Sequence, residues 1–195
     1  MRGRRLGAVM LALAAVATWF APHARAHELP GTSATLVVRD GGFVQLKLQL
    51  PWSDVLHRVW MPDAQMAAFL GAVVNQSPTA FAASLAKVQA ALAREVRVSG
   101  NDGAPMVLTR WVWPSAIEVQ TALRTELMAR LATPTADHHG ERFTANAEVR
   151  LGTELTTVQL QTSASLGPTL LIVYRPIEQW LGLGARSAPV PVRRP

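Results

Sequence analysis

Two segments of this chain, residues 43–50 and 143–151, alternate apolar and polar residues with a strict period of two. In the first, Val44, Leu46, Leu48 and Leu50 point one way, and Gln45, Lys47 and Gln49 the other. In the second, Phe143, Ala145, Ala147, Val149 and Leu151 oppose Thr144, Asn146, Glu148 and Arg150. Successive side chains leave opposite faces of a strand, so each segment is half buried. The fold must therefore supply a sheet with one covered and one wet face. A doubly wound parallel fold is not expected, because four of the strand pairs look joined by tight turns or short loops and helices do not alternate regularly with strands.

The residues around these segments fill in the plan. Residues 32–39 are rich in β-branched side chains and stop at Asp40-Gly41-Gly42, which predicts a hairpin into residues 43–50. Ser53 is placed to cap a short helix through Trp60, and Asp63 a second over residues 64–74. Ser77-Pro78 is an N-cap followed by proline at the first helical position. From there Phe81, Leu85, Val88 and Leu92 recur at helical spacing, a narrow apolar face suited to a sheet. Strands are expected at 95–99 and 106–113 around the turn Gly100-Asn101-Asp102-Gly103; Pro114-Ser115 then starts a helix near 117–131 whose stripe runs from Val119 or Gln120 through Leu123 and Leu127 to Leu131. Further strands are expected at 155–162 and 169–175. This order predicts an α+β fold: an antiparallel sheet or small β-sandwich with helices packed on one face or end.

Charge misleads until the N-terminus is considered. The chain has 195 residues, 19 basic and 13 acidic, for a net charge of +6. Residues 1–26 read as a cleaved Sec-type signal peptide: basic Arg2, Arg4 and Arg5, an apolar stretch over residues 6–21, then Ala24-Arg25-Ala26 as the peptidase site. Without those residues the balance is 15 basic against 13 acidic, which removes the electrostatic support for nucleic-acid binding. Residues 27–185 then form a single domain and 186–195 a flexible Pro/Arg tail. No later run is long enough to span a bilayer, so no transmembrane segment is expected after cleavage. There is no cysteine, so stability must come from packing rather than disulfides. Only Lys47 and Lys87 are lysine, a bias typical of GC-rich bacterial genomes, which points to the periplasm.

Candidate chemistry is sparse. If cleavage follows Ala26, the free amine and imidazole of His27 can chelate one ion. A further nitrogen from His57, His138 or His139 would complete a site suited to copper. The terminal histidine resembles that of periplasmic copper carriers and copper polysaccharide monooxygenases, which implies copper at His27. His27-Glu28-Leu29-Pro30-Gly31 is not a zinc-protease motif, because position 31 is glycine and Pro30 breaks the helix. Asp137-His138-His139-Gly140-Glu141 groups metal-capable side chains on a polar loop. Trp111 and Trp113 share a strand face and offer a platform for a sugar ring or another flat ligand. Arg175, at the end of the last strand, is able to bind a carboxylate. There is no G-x-S-x-G elbow, phosphate loop, G-x-G-x-x-G or cysteine nucleophile.

The opening His27-Glu-Leu-Pro, with Ala34-Thr-Leu-Val-Val-Arg-Asp40-Gly41 after it, resembles uncharacterised exported proteobacterial proteins with an A-H-x-L mature start. It also resembles extracytoplasmic domains attached to hydrogenase/urease accessory-type membrane proteins. The resemblance implies an envelope location. The expected function is a non-enzymatic binding or accessory module working with an envelope partner. The alternatives are a copper-binding protein using His27 and a carbohydrate-active or other hydrolytic enzyme.

Overall fold

The computed structural model describes residues 31–133, 138, 140–152, 154–177, 183 and 186. Residues 1–26, His27, His139 and nearly all of residues 186–195 lie outside the described residues. Among the described residues, eight strands and four α-helices follow in the order β1 (Thr32–Val38), β2 (Phe43–Pro51), α1 (Trp52–Trp60), α2 (Met66–Val74), α3 (Pro78–Glu95), β3 (Arg97–Ser99), β4 (Pro105–Val107), β5 (Thr109–Val112), α4 (Ala116–Ala132), β6 (Arg142–Arg150), β7 (Gln159–Gln161) and β8 (Thr169–Tyr174). The class is α+β.

Strands β5-β6-β2-β1-β8 form one sheet in that spatial order, and β4-β3-β7 a second. The expected hairpin is present, with Leu36 opposite Leu46 and Ala34 opposite Leu48. Both alternating segments lie side by side: Leu46 faces Ala147 and Leu48 faces Ala145. Their apolar sides meet because they share one register, so Ala34, Leu36, Val44, Leu46, Leu48, Leu50, Ala145 and Ala147 are all buried. Helices cover this face. The α3 stripe Phe81, Leu85, Val88 and Leu92 is buried as its spacing predicts, and α4 packs on α2 and α3. Trp60 joins three helices, its ring 6.4 Å from Phe69 and 6.1 Å from Phe81.

Several local expectations are corrected. One pair of the large sheet, β1 with β8, is parallel, because the chain crosses back before entering β8. The expected strand 106–113 divides at the buried Leu108 into β4 and β5, which serve different sheets. Of the expected strand 155–162 only β7 pairs. Upstream of it the Asn101 carboxamide accepts from the amides of Thr156 and Thr157 at 2.9 and 3.0 Å, so those donors need no ladder. Pro51 and Gln65, not Ser53 and Asp63, precede α1 and α2, and Ser53 is buried inside its helix. The α4 stripe differs at its end: Val119, Gln120 and Leu123 are buried, but Leu131 is exposed and Glu126 lies inward instead. Ser77 and Ser115 do cap α3 and α4, the latter in a reciprocal box with Glu118.

Candidate functional site

Strand β8 is bracketed by Pro168 and Pro176, neither of which can donate to a ladder. Gly167 enters it at φ 66° and ψ −161°, a conformation that favours glycine. Between the prolines lies Thr-Leu-Leu-Ile-Val-Tyr, an uncharged β-branched and aliphatic run, followed by Arg175. Its inner edge pairs along β1 from Thr32↔Thr169 to Val37↔Tyr174. Its outer edge has no strand beside it among the described residues. The register puts Leu171 and Val173 on the helix-covered face with Ala34 and Leu36, and Leu170, Ile172 and Tyr174 on the other. The helices stop short of this edge, so Leu170 through Tyr174 are all 41–50% exposed.

Natural edge strands are guarded against stray pairing by lysine, proline, a bulge or a covering element. Among the described residues, strand β8 has none of these within its span. Covering five half-exposed side chains is worth about 1 kcal/mol each, or roughly 5 kcal/mol in all. Association itself costs about that much or more, so a stable complex also needs ladder hydrogen bonds and an anchor. A cavity of about 230 Å³ lies against the end of the strand, lined by Val38, Leu155, Val158 and Val173 and rimmed by Thr156 and Arg175. It has room for one apolar side chain.

Each end of β8 carries a guanidinium. At the start, Arg58 of α1 donates from Nε to the Ser165 carbonyl at 3.0 Å and from Nη2 to the Leu166 carbonyl at 3.1 Å. At the finish, exposed Arg175 makes one long contact, 3.4 Å to the Leu155 carbonyl. Neither has an acidic partner among the described residues.

The sequence candidates fall elsewhere. Half-buried His57 bonds through Nε2 to the Ala64 carbonyl at 2.8 Å, with its ring 5.2 Å from Phe69. His138 bonds through Nε2 to the Thr133 carbonyl at 2.7 Å. A carbonyl accepts, so both nitrogens carry the proton and the lone pair falls on Nδ1. Among the described residues, no group of three or more histidine, aspartate and glutamate side chains is placed to hold an ion. The His138 loop is tied down from below. Arg130 donates from Nε and Nη2 to Oε1 of Glu126, which is 7% exposed, at 3.0 and 2.8 Å, and from Nη2 to the His138 carbonyl at 3.0 Å. Gly140 passes over this pair because a Cβ there would lie 2.6 Å from the Glu126 carboxylate and 2.3 Å from the Ser53 hydroxyl.

Trp111 and Trp113 do share a face, but they stack on each other at 4.6 Å and 5°, and Trp113 meets Trp52 edge-on at 6.1 Å. One face of each indole is thereby covered by the other. The position of Arg175 at the end of a strand was legible in the sequence. The exposure of β8 and the placement of Arg58 were not, because an unbroken apolar run reads the same at an edge as in a sheet centre. Compared with models of known protein families, with curated proteins and with solved structures, the chain matches none.

Proposed function

We propose that this chain is an exported periplasmic protein of non-enzymatic binding or accessory type, which engages an envelope partner by strand addition at β8. One observation carries the reading: five consecutive apolar residues stand 41–50% exposed along an unguarded sheet edge. Strand addition uses main-chain hydrogen bonds for affinity and side-chain pockets for selectivity, and an edge without a neighbouring strand among the described residues, with one cavity beside it, supports that mode. The basic start, apolar stretch and Ala24-Arg25-Ala26 of the N-terminus support export.

The test is a photoreactive side chain at Ile172, with a second at Met128, an exposed position on α4, as control. In cells exporting the protein, position 172 should give a discrete cross-linked species and position 128 none. Equal labelling at both positions rejects the reading. Intact mass of the same material checks export, since it must correspond to a chain beginning at His27.

Copper at the new N-terminus is the second reading, favoured by the position of His27 directly after Ala26. His57, His138 and His139 are the available completing ligands. One extra residue before His27 should abolish copper uptake, and unchanged metal content would remove this reading.

A further inference from the structure

We infer that the strand received by β8 is an uncharged apolar segment of an envelope protein with acidic residues at both of its ends, one of its side chains seating in the cavity beside Val173. This rests on the strand-addition reading and names the chemistry of its partner. The apolar middle follows from β8 itself, since cross-strand neighbours on either face must cover Leu171 and Val173 on one side and Leu170, Ile172 and Tyr174 on the other. The anchor follows from register. A side chain beside Val173 leaves the incoming strand toward the helix-covered face, where the cavity between Val38, Leu155 and Val158 opens.

The acidic ends follow from charge. Arg58 stands at the entry to β8, its guanidinium 3.2–3.3 Å from the place a Gly167 Cβ would take, and Arg175 directly follows the last residue. Residues 155–177 contain no aspartate or glutamate. Glu95 reaches the start of this region and accepts from the Ser163 hydroxyl, while Asp54, one turn before Arg58, and Glu154, just before Leu155, form no ion pair with either guanidinium among the described residues. Because both ends are positive, carboxylates at both ends of the ligand are favoured whichever way it runs.

The same charges disfavour a second copy of this chain. An antiparallel self-pair centred on Ile172 matches Leu171 with Val173 and Leu170 with Tyr174, which is apolar throughout. It also sets Arg175 of each copy opposite Thr169 of the other, toward that copy's Arg58. Like charges then meet at both ends of the ladder.

The experiment uses three fluorescent peptides with one hexapeptide core of alternating valine and threonine around a leucine. They are flanked at both ends by two aspartates, two serines or two lysines, and titrated into the full exported chain. The aspartate peptide should bind about fivefold to tenfold tighter than the serine peptide, with the lysine peptide weakest. Added salt should narrow the spread. Arg58→Gln with Arg175→Gln should erase the spread between the three peptides, and Ile172→Lys should abolish binding of all three. Equal affinity for the three peptides overturns the inference. So does sedimentation showing a dimer that Ile172→Lys dissolves, because the occupant is then a second copy. Persistent cross-linking at position 172 alongside indiscriminate peptides removes only the acidic-end chemistry. Loss of both cross-linking and peptide binding removes the strand-addition reading as well.

Discussion

The two edges of the five-stranded sheet are built in opposite ways. Strand β5 pairs with β6 through Thr109↔Glu148 and Val112↔Asn146, so three steps on one strand answer two on the other. The extra residue makes a bulge, and Arg110 there sits at φ 51°, a left-handed conformation that costs a non-glycine residue about 1–2 kcal/mol. Its guanidinium reaches Glu148 at 3.2 Å, and the twist that follows turns Trp111 and Trp113 against the core. Strand β8 pairs without interruption over six residues and carries neither bulge nor charge. One edge accepts backbone strain to stop further pairing, and the other leaves apolar pairing groups on offer. That difference is the ground on which strand addition is proposed at β8 rather than at β5.

Stability measurements should separate the edges most clearly. Trp113→Ala at the guarded edge should cost about 2–4 kcal/mol, because it removes both the Trp111 stack and the Trp52 contact. Urea denaturation checks this, and a loss under about 1 kcal/mol would mean that β5 is as loosely attached as its exposure implies. Arg110→Gly should raise stability by about 0.5–1 kcal/mol. Relief of the left-handed backbone outweighs an ion pair whose arginine is 79% exposed. A drop in the urea midpoint would show that the guanidinium, not the bulge, holds the edge.

At β8 the same measurement should scarcely move. Ile172→Lys is expected to stay within about 0.5 kcal/mol of the parent while losing peptide binding, since the side chain is half exposed and lies outside the buried core. Unfolding of that variant would mean that β8 is structural, and the comparison between the edges would collapse. The smallest effect belongs to the helix that β5 feeds. The Ser115 hydroxyl and amide, at 2.6 and 2.8 Å, hold the Glu118 carboxyl below its ordinary value. A carboxyl lowered in the folded state stabilises above the ordinary carboxylate range, and that contribution fades as pH falls through the lowered value. Glu118→Gln should remove this part of the acid dependence, seen as urea midpoints near pH 6 and pH 3 drawing together. An unchanged gap would put the acid sensitivity elsewhere.

Much of the frame was legible without coordinates. The alternation in residues 43–50 and 143–151 placed every buried residue of β2 from Val44 to Leu50, and the buried Ala145, Ala147 and Val149 of β6. Ser77 and Ser115 marked the starts of α3 and α4. Such signals are local: a period or a cap depends on a few neighbouring residues. The failures came where distant groups replaced the local rule. Asn101 supplied the backbone partners that residues 155–158 would otherwise have sought in a strand. A buried Glu126–Arg130 pair under the His138 loop displaced Leu131 from the inner face of α4.

What the sequence alone determined is the face each residue takes within its own strand or helix, because backbone geometry sets periods of two and 3.6 residues. Tertiary structure decided which strand became the edge. Leu170 through Tyr174 are apolar at every position, as a central strand would be, and nothing in their order says whether one neighbour or two will pair with them. The parallel docking of β8 on β1 settled that, together with helices that reach over β1 and β2 but end before β8. Pairing order and coverage depend on contacts between residues far apart in the chain, and that is where the candidate site was made.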